Sequence, residues 1–137
     1  MRALTLHRPW PWAILTGKKD VENRTWSAAW VVGEVIAIHA GLQVGSTDAF
    51  AFIERVCGRR PPADGGPLGI VGVARVEAMV VESPSPWFMG PVGWQLADVR
   101  ALAEPVPCSG KQGLWPVPPH LEAEVLAQLA LGTRRGG

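Results

Sequence analysis

Lys19, Glu22 and Arg24 carry the densest chemistry in this chain, inside the run Gly17-Lys18-Lys19-Asp20-Val21-Glu22-Asn23-Arg24-Thr25-Trp26. A Lys ammonium is a compact point charge suited to a phosphate or carbonyl oxygen. An Arg guanidinium presents a fork to a phosphate or a base edge. A Glu between them can accept from the exocyclic amine of cytosine or adenine, or activate a water for hydrolysis. Glu22 and Arg24 are two apart, so a strand puts both on one face, and Trp26 shares that parity. The two either pair with each other or face a ligand together. Lys19 has the opposite strand parity, so it joins them only from the turn before the strand becomes regular. Its bland alternative is an exposed lysine at a helix C-terminus, interacting with the dipole.

Other residues offer weaker chemistry. Seven Trp stand beside no Tyr. A Trp is a large apolar plate with one N–H donor, which either packs in a core or stacks on a base. Trp26 admits both readings. Trp10 reads as core, and Trp12, pointing off the Trp10 face, as the rim candidate. Lys111 and Gln112 sit in a glycine-flanked turn, where they either reach a phosphate or base or are simply solvated. His39, ending an apolar strand, reads as a hydrogen-bonded interior or edge histidine. Arg59, Arg60, Arg134 and Arg135 read as solvated charges that add weak phosphate affinity. Cys57 and Cys108 lie far apart with no Cys or His at ligand spacing, so buried thiols are expected, and neither a metal nor a cofactor.

These groups need elements to place them. Ala3-Leu4-Thr5-Leu6 reads as a first strand. Pro9 suits the start of a helix whose Trp10, Ala13 and Ile14 share a face, with Gly17 as its C-terminal glycine. Val21 to Trp26 and Glu34 to Ala40 read as strands, and Thr47 to Cys57 as a helix capped by Ser46. Gly58 to Pro67 is a loop, Leu68 to Glu82 a long β-run, and Ser83 to Pro91 a proline-rich loop. Gly93 to Leu102 and Gly113 to Val117 read as strands. Pro119 to Leu131 has helical periodicity with Gly132 as its stop, and Thr133 to Gly137 is expected to fray. The pattern predicts an α+β fold: a small, mostly β barrel decorated by helices, in a single domain over 1–132 with 133–137 as a flexible tail.

Composition narrows the function classes. The 137 residues fit one domain, 47% are apolar, and the net charge is +1. A packed core is therefore expected, and any nucleic-acid site must be a local patch or pocket. No apolar run reaches a membrane span and Met1-Arg2 leads straight into a strand, so no membrane and a cytoplasmic location are expected.

The chain resembles the ASCH domain family, of the PUA-like β-barrel superfamily. The matching pieces are Leu6-His7-Arg8-Pro9-Trp10, Gly17-Lys18-Lys19-Asp20-Val21-Glu22-Asn23-Arg24, Ile38-His39-Ala40, Trp87-Phe88-Met89-Gly90-Pro91-Val92-Gly93-Trp94 and Gly110-Lys111-Gln112-Gly113-Leu114-Trp115, in the family's order. The resemblance implies a mixed barrel of five or six strands, a short N-terminal helix roofing a cleft, a middle helix and a C-terminal helix. It implies RNA, single-stranded nucleic acid or a modified nucleoside as partner. Some members remove the acyl group from N4-acetylcytidine, and others are reported ribonucleases. The amidohydrolase pattern of Lys, Thr and Arg falls on Lys19, Glu22 and Arg24, with Glu22 where the nucleophilic Thr stands. A later catalytic carboxylate would fall to Glu77 or Glu82. Three readings stand: a nucleic-acid-binding module whose cleft is lined by Lys19, Glu22, Arg24, Trp12, Trp26, Lys111 and Gln112, a hydrolase using Lys19 and Glu22, or a protein-interaction domain whose exposed Trp residues face a partner.

Overall fold

A computed structural model describes the backbone of residues 1–136 and the side chains of 1–132. In chain order it contains β1 (Arg2–Arg8), α1 (Trp10–Leu15), β2 (Val21–Arg24), a 3-10 turn (Ala29–Val31), β3 (Val35–Val44), α2 (Thr47–Cys57), β4 (Gly69–Val80), β5 (Val92–Val106), β6 (Leu114–Pro116) and α3 (Pro119–Gly136). The six strands form one mixed sheet in the order β2-β5-β4-β3-β1-β6, giving the α+β class. β1 and β3 run parallel and the other pairings are antiparallel. The β4–β5 ladder shifts register three times. Each shift bends and twists the strands, and the curved sheet is compatible with a small barrel-like fold.

Central strands are buried on both faces, which is why they read as apolar runs. In β3, Ile36 and Ile38 join Leu4, Leu6, Val76 and Trp94 in one core, together with Ile14 of α1. Ala37, between them, faces the other core with Ala3, Ile70, Val73, Val106 and Trp115, closed by Val125 of α3. A third cluster joins Ala13, Val21, Ile53 and Trp87.

The two-turn helix α1 is too short to hold itself and depends on packing. Gly72 of β4 makes room for it: a Cβ there would meet Leu15 Cδ2 at 2.4 Å and Arg100 O at 2.7 Å. α2 begins where its sequence says, with the Ala49 N–H donating to Ser46 Oγ at 3.3 Å. Two strands run longer than their composition implied, β3 to Val44 and β5 to Val106, because ladder partners extend them, whereas β2 stops at Arg24, short of the expected Trp26, where its pairing with β5 ends. α3 passes Gly132 and reaches Gly136, so that glycine is not a stop. The side chains of the expected tail, and Gly137 altogether, lie outside the described residues. Among the described residues, no helix is long and apolar enough to cross a membrane.

Candidate functional site

The turn from α1 into β2 decides where the charged motif points. Gly17 was expected to supply the left-handed residue that ends α1. That conformation instead falls on Lys18, at φ 61°. Gly17 is needed for close approach: a Cβ would stand 3.0 Å from Ala13 O and 3.3 Å from Cys57 Sγ. The reversal at Lys18 lets the Lys19 N–H donate to Ala13 O at 3.0 Å. It also aims the Lys19 side chain inward, where it is 2% exposed.

There the ammonium donates to Val21 O and, at 2.8 Å, to Glu22 Oε1, and lies 5.4 Å from the Trp10 ring centroid. Glu22 Oε2 is 3.6 Å from Arg24 Nη1. Arg24 Cζ in turn stands 5.8 Å from the Trp26 ring centroid. The parity of β2 separates the tasks. Glu22 and Arg24 line a cleft, while Val21 packs in the core behind. Asn23, on the Val21 side, donates to Trp87 O at 2.9 Å and accepts from the N–H groups of Met89 and Gly90 at 2.8 and 3.1 Å. Three bonds from one side chain fix the proline-rich loop against the back of β2.

The cleft has a volume of about 970 Å³ and lies at the C-terminal ends of β1 and β3. Its walls include Trp10, Glu22, Arg24 and Trp26 together with the segment 107–113, which carries Lys111 and Gln112. Leu42 and Leu68 form an exposed apolar lip. Glu22 is the sole carboxylate among the lining residues, against Arg24 and Lys111. With Lys19 buried behind Glu22, the local balance is positive. Trp26 is 36% exposed and packs edge-on to Trp94, whose indole N–H donates to Trp26 O at 3.2 Å. The ring is thus held firmly while still open to a ligand.

Several expected residues sit elsewhere. Lys19 touches Glu22 but is not in the cleft wall, because its ammonium is spent on Val21 O and Glu22. Trp12 is not on the rim. Trp10 and Trp12 lie on different sides of α1, and Trp10 faces the cleft. Trp12 covers a separate small cavity with Leu15 and Pro67, near Arg59. Neither Glu77 nor Glu82 lines the cleft; Glu77 accepts from Gln95 Nε2 at 2.7 Å on the surface.

His39 is the hydrogen-bonded interior histidine that its place in an apolar strand suggested, but its partners went unread in the sequence. His39 is 2% exposed, and its Nε2 lies 2.9 Å from Cys108 O, which can only accept. His39 Nε2 therefore donates there. In the neutral ring Nδ1 then accepts, and Thr5 Oγ1 donates to it across 3.1 Å. Thr5 Oγ1 in turn accepts from the Trp115 indole N–H at 2.9 Å. This directional chain joins β1, β3, β6 and the loop after β5. Cys108 also lines the cleft, and burial pushes its thiol pKa up, a hydrogen bond with the Ile70 backbone offsetting part of the rise. No group of three or more His, Cys, Asp or Glu able to hold a metal occurs among the described residues. Neither a family model nor a curated protein matches the chain.

Proposed function

We propose that the chain is an ASCH-type, PUA-like domain whose cleft receives a nucleobase from single-stranded RNA or a modified nucleoside. One observation carries this reading. Four of the five sequence pieces that resemble that family meet at one cleft although they are scattered along the chain. They contribute Leu6, His7 and Trp10, Glu22 with Arg24, His39 with Ala40, and the 110–113 turn. The fifth piece forms the loop that Asn23 clamps behind β2.

The arrangement suits base recognition. Single-stranded bases are read by stacking one face and hydrogen-bonding the edge. Trp26 offers a fixed ring, and Glu22 a carboxylate held from behind by Lys19 and from the side by Arg24. A base amine meeting that carboxylate makes a charge-assisted hydrogen bond in a partly desolvated site. The hydrolase reading is supported only by the closeness of Lys19 to Glu22. With the Lys19 ammonium turned away from the cleft wall, binding is the better account.

The test is calorimetric titration with cytidine, uridine and short single-stranded RNA, with N4-acetylcytidine and labelled RNA assayed for deacetylation and cleavage in parallel. Cytidine is expected to bind more tightly than uridine, with the preference lost in Glu22→Gln. Parent-like binding by both Glu22→Gln and Arg24→Ala would overturn the base-pocket reading. Turnover abolished by Glu22→Gln would replace it with the hydrolase.

A further inference from the structure

The segment 107–113, between β5 and β6, forms a whole wall of the cleft, and the way it is attached is informative. Three contacts fix it. His39 Nε2 donates to Cys108 O at 2.9 Å. Gly110 lies so close to the floor that a Cβ would stand 2.4 Å from His39 Cε1 and 2.6 Å from Thr5 Oγ1. Gly113 turns at φ 69° beside Trp26, where a Cβ would lie in ordinary contact, 3.7 Å from Cζ2. None of these contacts uses a main-chain N–H of the segment.

The donors are therefore left over. Within the described residues, the main-chain N–H groups from Ser109 to Gly113 make no hydrogen bond. Neither do the Ser109 hydroxyl, the Lys111 ammonium and the Gln112 amide. Ser109 to Gln112 are exposed, so these donors are solvated in the free protein and remain available to an acceptor-rich ligand in the cleft they line. The single carboxylate facing it, Glu22, is already matched by Lys19 and Arg24. Successive free backbone N–H groups together with a cation are the usual makings of an oxyanion site.

We propose that Ser109–Gly113 is a phosphate subsite, so that the ligand is a nucleotide: the phosphate lies on this loop and on Lys111, and the base meets Glu22. This rests on the base-pocket reading above and adds the phosphorylated state of the ligand. Trp26 connects the two halves, since its ring lies near Arg24 and beside Gly113. A cleft of about 970 Å³ has room for base, sugar and phosphate together. The phosphate can come from a free mononucleotide or from the backbone of a single strand.

The experiment compares cytidine, its 5′- and 3′-monophosphates, a short cytidine-containing single strand and inorganic phosphate, on the parent and on Lys111→Ala. Lys111 is exposed, so the variant should fold. At least one monophosphate is expected to bind about tenfold more tightly than cytidine at low salt, and in Lys111→Ala the ratio of monophosphate to cytidine affinity should fall most of the way back to one. Inorganic phosphate alone should slow alkylation of Cys108 in the parent and not in the variant. A strand that outcompetes both monophosphates identifies the chain backbone as the source; otherwise it is the free nucleotide. Equal affinity for cytidine and both monophosphates overturns the subsite and leaves the base pocket standing. A phosphate gain untouched by Lys111→Ala overturns the assignment to this loop. If no nucleoside or nucleotide binds but phosphate protection persists, the subsite survives and the base pocket falls. If phosphate protection is also absent, both fall.

Discussion

At the scale of single residues, the question is what a nearly buried ion pair does at the back of a cleft. Lys19 is 2% exposed and Glu22 8%, and the charges touch at 2.8 Å. Burying such a pair gains little over an apolar one, but breaking it strands a charge. Lys19→Met leaves Glu22 with only Arg24, at 3.6 Å, and is expected to cost about 3 kcal/mol. Glu22→Gln should cost less, because an amide oxygen still accepts from the ammonium. The double variant should lose less than the sum of the singles, with a coupling of about 2 kcal/mol in urea titrations. Strictly additive losses would mean the two side chains do not act as a pair. The sequence showed that these types sit close in the chain. It did not show that Lys19 is buried, because that depends on which of Gly17 and Lys18 takes the left-handed turn, and glycine is the default choice.

At the scale of elements, β2 shows what was legible. Its period-2 pattern put Glu22 and Arg24 on one face, and the structure has them there. The same parity put Asn23 on the other face, where its partner could not be foreseen, because Trp87, Met89 and Gly90 are more than sixty residues away. The partners of His39 were hidden for the same reason: Thr5, Cys108 and Trp115 reach it only through the register of β1 with β3 and β6. By contrast α2, with Ser46 capping it and Gly58 at φ 77° ending it, was readable because its signals are local. Trp12 shows the limit of local reasoning. Two faces of α1 were distinguishable in sequence, but which one met the cleft was not. The Asn23 clamp makes a prediction. Asn23→Ala removes one donor and one doubly used acceptor, and should destabilise the fold by about 1–3 kcal/mol. Hydrogen exchange at Met89 and Gly90 should speed up before global unfolding. If those two amides stay as protected as in the parent, the side chain does not hold the loop.

At the scale of the whole molecule, charge is nearly balanced at +1, so net charge alone would draw the chain to a nucleic acid only weakly. What affinity exists must come from where the few cations stand. Arg8 is spent on the carbonyls of Gly41, Leu42, Asp64 and Gly66, Arg75 on Asp98, and Lys19 on Glu22. Arg24 and Lys111 are the Lys and Arg residues of the cleft wall, and Arg24 stands beside the Trp26 ring. Phosphate attraction is screened by salt, while a base edge read by a carboxylate carries no such dependence on released counterions. For a short single strand, log K should therefore fall against log salt with a shallow slope of about 0.7 for each phosphate contacted, and about 1.4 in total if both cations engage. Arg24→Ala and Lys111→Ala should each flatten that line by about 0.7. Glu22→Gln should keep the slope and change the preference for cytidine over uridine, because it alters the reading of the base and leaves both cations in place. Salt titrations of the three variants against cytidine-rich and uridine-rich strands separate the roles. A parent slope several times steeper would place the binding surface outside this cleft, on the solvated arginines of the loops. A flat line in the parent would mean that no phosphate is held at all.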